Sequence, residues 1–115
     1  MSEPPPKITK AERALLRRLA REAWEAELDE ELEQLFEFFS RWADDGMSAF
    51  ELSDKIHEFH NGASRELYGR YSGLDPTLTV ARAIAKGILG DAVLGETLCA
   101  KLSTQIEAFR SAGDE

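Results

Sequence analysis

The sequence predicts an all-α protein, a small helical bundle of about four helices with a long first helix. Three observations carry this. Residues 10–45 contain neither glycine nor proline and are dominated by Ala, Leu, Glu and Arg, the residues that favour helix most. Apolar residues elsewhere recur every three or four positions, and no stretch alternates with period two for long enough to make a strand. Helix start signals occur three times along the 115 residues.

The first start signal is Thr9 with Glu12 three residues on, a capping box. Before it, prolines 4–6 cannot donate backbone hydrogen bonds, so residues 1–8 read as an extended or disordered lead. Gly46 is the expected stop, through the left-handed conformation open to glycine. Ser48 and Glu51 form a second capping box. It opens a helix to about Tyr71 whose apolar stripe is Leu52, Ile56, Phe59, Ala63, Leu67 and Tyr71. Asp75-Pro76 then places an N-cap before a proline at the first helical position, and Lys86-Gly87 closes that third helix. The last helix buries Leu102, Ile106 and Phe109 and frays over residues 113–115. It starts either at Asp91 or, after a break at Gly95, near Glu96. Residues 9–112 thus read as one helical domain.

The first helix does not keep one apolar face. At about 100° per residue, Leu16, Leu19, Ala20, Ala23 and Ala26 lie roughly 140° from Leu28, Leu32, Leu35, Phe39 and Trp42. Either the helix bends near residues 25–31 or its halves pack on different surfaces. The aromatic second half is the expected core. Phe39, Trp42, Ile56, Phe59, Leu67, Ile84, Leu102 and Phe109 are expected in one cluster. The first half reads as an arm lying on something else. Its charge changes sign too: Lys10, Arg13, Arg17, Arg18 and Arg21 face a single acid, and eight acids without a base follow over residues 22–37. A homodimer in which Leu16, Leu19 and Ala23 meet a second chain, with Arg13, Arg17 and Arg21 against its acids, would satisfy both patterns.

Composition narrows the function classes. With 43% hydrophobic and 31% charged residues the chain reads as globular. Its net charge of −8 argues against nucleic acid as the main partner. No apolar run approaches a membrane span and residues 1–10 lack a signal-like stretch, so a membrane is not expected. The single cysteine, Cys99, fits a reducing cytoplasm and reads as a small buried hydrophobe.

His57 and His60, with Asp54, fall on adjacent turns of one strip and could approach one metal ion. The spacing departs from a zincin, which needs histidines four apart. It supplies only one partial copy of the Glu-x-x-His pattern of di-iron bundles. The other reading keeps His60 as a hydrogen-bonded histidine at the core edge. Gly62 and Gly69, interrupting the same helix, suggest close approach of a helix or ligand beside Arg65, or simply tolerated glycines. Arg70 is expected to lay its stem over the core and pair with an acid. No nucleophile–base pair and no phosphate loop can be assembled, so neither catalysis nor a cofactor is indicated. The expected role is protein–protein interaction in the cytoplasm, as a homodimer or as an adaptor for another protein. The alternative is a metal- or small-ligand-binding bundle using His57 and His60.

Overall fold

In the computed structural model, which describes residues 7–112, every regular element is helical and no strand occurs among the described residues. The order is α1 (Lys10–Ala43), α2 (Ala49–Phe59), a π-helical turn (His60–Ser64), α3 (Arg65–Gly73), α4 (Pro76–Ala85), a 3-10 turn (Asp91–Val93) and α5 (Gly95–Ala112). Because α2, the π-turn and α3 are continuous, these make four helical runs, of which α1 is the longest at 34 residues. The proposed lead falls mostly, and the frayed tail over 113–115 wholly, outside the described residues. Of the lead, Lys7 and Ile8 are non-helical, and Ile8 packs against apolar core residues.

The start signals act as their chemistry requires. Glu12 N–H donates to Thr9 Oγ1 at 3.1 Å while Thr9 N–H donates to Glu12 Oε1 at 2.8 Å, closing the capping box reciprocally. Ser48 Oγ accepts from Glu51 N–H at 3.1 Å, and Asp75 Oδ1 accepts from Thr77 N–H at 2.8 Å with Pro76 opening α4. Gly87, at φ +78°, ends α4, and Ile88 N–H returns to Ala83 O at 2.8 Å. Of the two starts for the last helix, the break at Gly95 (φ +75°) is the one found; Asp91 opens only the 3-10 turn.

The end of α1 differs from expectation. The left-handed residue is Asp45 (φ 62°), not Gly46. Asp45 N–H bonds Trp42 O at 3.1 Å and Gly46 N–H bonds Arg41 O at 2.8 Å, the Schellman pattern shifted by one residue. A Cβ at Gly46 would sit in tight contact, 3.3 Å from the Arg41 carbonyl oxygen.

Within the described residues the chain divides into two compact units, 7–23 with 74–112 and 24–73, where the sequence reads as one domain. The first unit holds the main core. Leu16, Leu19 and Ala20 of α1 pack with Val80, Ala81 and Ile84 of α4 and with Leu94, Leu98, Leu102 and Ile106 around α5. Phe109 and Cys99 cover its edge. Small side chains at Ala20, Ala23, Ala81 and Ala83, all nearly or fully buried, let the helices approach closely. Lys101 of α5 reaches Glu12 Oε1 at 2.7 Å and Lys7 O at 3.0 Å, tying α5 to the cap of α1.

This reverses the expected roles of the two halves of α1. Leu16, Leu19 and Ala23 are fully buried in the chain's own unit, so the apolar stripe assigned to a second chain is already occupied by α4 and α5. Ile84, Leu102 and Phe109 belong to this core, whereas Phe39, Trp42, Ile56, Phe59 and Leu67 belong to the other unit. Of those five only Leu67 is buried. The aromatic half of α1 has a single helical neighbour within its unit, and one neighbour cannot enclose aromatic side chains on two sides.

The second unit is an antiparallel helical hairpin. Trp24 meets Tyr68 and Tyr71, Glu27 meets Arg70 and Tyr71, and Phe38 meets Lys55, so partners descend as α1 ascends. The π-turn keeps its second strand in register. The steps from Leu52 to Tyr71 number nineteen, while five turns of α-helix hold about 18 residues. A turn of i→i+5 hydrogen bonding takes up the additional residue. Leu52, Phe59, Ala63, Leu67 and Tyr71 then share one inward face, and all are buried or half-buried.

Candidate interaction surface

Inside the hairpin the contacts are specific. The Trp24 ring stacks on Tyr71 at 5.8 Å with 5° between planes and meets the Tyr68 edge at 6.0 Å. Tyr71 Oη donates to Glu27, and Arg70 Nη1 reaches the same carboxylate at 3.4 Å, the acid expected for Arg70. At the other end Phe38 lies under Arg41 and Lys55, with 5.5 and 5.0 Å to the ring centroid, and Lys55 also pairs with Glu58 at 3.4 Å.

These contacts define which residues face inward: on α1 Trp24, Glu27, Glu31, Leu35 and Phe38, and opposite them Leu52, Lys55, Phe59, Ala63 and Leu67. The next residue after each is turned about 100° onward. In an antiparallel pair of right-handed helices that rotation carries both sets to the same broad side. That side bears Glu25, Leu28, Leu32, Phe36 and Phe39 on α1, and Ser53, Ile56, His60, Ser64 and Tyr68 on the returning strand. Exposure follows the geometry. Leu32 is 42% exposed, Phe36 69%, Phe39 38%, Ile56 40% and Tyr68 63%. Large contiguous exposed apolar faces are uncommon on soluble monomers.

Its α1 border is purely acidic. Asp29, Glu33 and Glu37 lie one further residue round and are exposed, and no base occurs between Glu22 and Ser40. The opposite border, Asp54, His57, Asn61 and Arg65, is mixed and also exposed.

The remaining predicted residues fall elsewhere. Arg13, Arg17 and Arg21 are exposed on the outer side of α1, and Arg13 and Arg17 line a cleft of about 370 Å³ with Ile8, Asp75, Pro76 and Thr77. That cleft contains no histidine or cysteine, and its one carboxylate, Asp75, caps α4. His57 and His60 are both exposed, so His60 is not the core-edge histidine expected. Asp54, also exposed, does not complete a site with them: no group of three or more His, Cys, Asp or Glu could hold a metal ion among the described residues. Beside Gly62 and Gly69 an added Cβ would meet nothing within 4 Å among the described residues. The cleft inside the hairpin, at about 170 Å³ between Phe38 and Phe59, is below the roughly 300 Å³ of ordinary ligand pockets.

Leu28, Leu32 and Phe39 form as regular a stripe as a core-facing one, so the sequence alone does not distinguish an exposed face here from a core. No described helix is long and apolar enough to cross a membrane. Comparison of the chain with protein-family models, with curated proteins and with solved structures found no match.

Proposed function

We propose that this chain is a non-catalytic protein-association module whose working surface is the apolar face of the hairpin over residues 24–73. One observation carries the reading: Leu32, Phe36, Phe39, Ile56 and Tyr68 share one side of the hairpin and remain exposed there. Complete burial of such a side chain from water is worth roughly 1.5–3 kcal/mol, and at 38–69% exposure about half of that is still to be gained. A partner that covers them recovers much of that. The first unit has a core of its own, and its cleft beside Arg13 and Arg17 brings no histidine or cysteine together with a base among the described residues.

Site-directed photo-cross-linking tests this. A photoreactive phenylalanine analogue at position 36 should give discrete adducts in producing cells, and the same group at exposed Ser103 on α5 should not. Equal labelling at both positions would sink the proposal. The adduct mass separates two partners. Twice the chain mass identifies a homodimer through this face. Any other mass identifies an adaptor.

A further inference from the structure

Charge distribution narrows the partner. This inference rests on the reading of the hairpin face as a contact surface and adds the chemistry of what covers it. Over residues 24–73 the hairpin carries thirteen carboxylates against four bases, a net charge of −9 with neutral histidines. Three of the four bases are engaged inside it: Arg70 with Glu27, Lys55 with Glu58, and Arg41 over the Phe38 ring. On its α1 side the apolar stripe of Leu28, Leu32, Phe36 and Phe39 is flanked by Asp29, Glu33 and Glu37, and the fourth base, Arg65, lies on the opposite border of the face. We infer that the face is built for a cationic amphipathic helix of another protein, its apolar side on this stripe and its lysines or arginines along the acidic border.

A second copy of the chain does not offer that combination. Its own hairpin brings apolar anchors but another net charge of −9, and like charges along a contact oppose association. Its basic segment, residues 10–21, brings exposed arginines, but the apolar side chains beside them, Leu16 and Leu19, are buried in its core. In this chain the hairpin anchors belong to one unit and the basic segment to the other. A cationic amphipathic helix carries both on one element, with apolar residues spaced three and four apart to match α1. Anionic membranes are disfavoured by the same border.

The test uses the full chain and three synthetic peptides of about 18 residues, long enough to form a helix on binding. One is a leucine–lysine amphipathic helix, one has the same composition in scrambled order, and one replaces lysine by glutamate. Fluorescence anisotropy should show the leucine–lysine helix binding at least tenfold more tightly than either control, and weakening as salt screens the border. The double variant Leu32→Asp, Phe36→Asp should lose at least tenfold in affinity. The variant Asp29→Asn, Glu33→Gln, Glu37→Gln should lose about fivefold and flatten the salt dependence. Both alter exposed positions, and circular dichroism checks that each remains folded. Equal binding of the scrambled peptide, or of the glutamate peptide, overturns the inference. So does undiminished binding by the double aspartate variant. Sedimentation velocity separates the two levels of failure. If the leucine–lysine helix fails and the chain is a dimer that Leu32→Asp, Phe36→Asp dissociates, the cationic partner is refuted and the contact surface stands. If the peptide fails and the chain sediments as a monomer, the cationic partner is refuted, and cross-linking at position 36 decides the contact surface: no adduct there refutes it, and an adduct of another mass upholds it.

Discussion

Two residues near the ends of α1 carry measurable energies. Asp45 holds a left-handed backbone that disfavours an L side chain, while a Cβ at Gly46 after it would sit in tight contact, 3.3 Å from the Arg41 carbonyl oxygen. Asp45→Gly relieves the first constraint. Net of the extra entropy glycine gives the unfolded chain, it should raise stability by about 0.5–1 kcal/mol. Gly46→Ala should lower stability. Urea unfolding midpoints of the two variants, moving in opposite directions, check the assignment. At the other end, the hydrogen bond from the Lys101 ammonium lowers the Glu12 carboxyl below its ordinary pKa, and the bond from Thr9 N–H adds to it. A depressed carboxylate pKa contributes stability that is present above the unfolded-state value, about 4.3 for glutamate, and lost as pH falls through and below it. The melting temperature of Glu12→Gln should therefore lie below the parent's at pH 7 and converge with it towards pH 3. A constant gap across that range would mean that the ion pair contributes nothing.

Among the elements, the helix starts were legible and the register of the second helical run was not. Thr9 with Glu12, Ser48 with Glu51, and Asp75 with Pro76 are local patterns, closed by hydrogen bonds over two or three residues. Residue order alone specifies such bonds. The π-turn answers a longer-range demand, that Leu52 and Tyr71 face the same neighbour across nineteen steps, and no local pattern announces it. The same limit applies to α1. Its two apolar stripes were visible, but which of them acquires two helical neighbours and which only one depends on α4 and α5, far along the chain. A deletion tests the π-turn. Removing exposed Asn61 leaves eighteen steps between Leu52 and Tyr71, which five ordinary turns accommodate. The variant should keep the parent's helical content by circular dichroism and its Trp24–Tyr71 stacking by near-ultraviolet circular dichroism. Inserting an alanine at the same place adds a second surplus residue and should lower the melting temperature more than the deletion does. The opposite ranking would show that the π-turn does not absorb the register.

For the molecule as a whole, the main buried cluster and the large exposed apolar side chains of the hairpin occupy different segments of the sequence. The buried cluster of the first unit joins α1 to α4 and α5 through Leu16, Leu19, Ile84 and Leu102, whereas the large exposed apolar side chains of the hairpin contribute little to enclosing a core. Leu102 is fully buried, so Leu102→Ala removes its transfer free energy and leaves a cavity, costing about 2–5 kcal/mol. In a chain of this size that is a large share of the total stability. Phe36 is a larger side chain, yet at 69% exposure it has little buried surface to lose, and Phe36→Ala should change stability by no more than about 0.5 kcal/mol. Residue size alone would rank the two the other way. Chemical denaturation of both variants measures the fold, and binding of the leucine–lysine helix measures the surface. Phe36→Ala should weaken binding while leaving the unfolding midpoint in place. Leu102→Ala should shift the midpoint and, under conditions where it remains folded, bind as the parent does. If Phe36→Ala unfolds as readily as Leu102→Ala, the aromatic half of α1 is a core element after all, and its exposed stripe has no partner to explain.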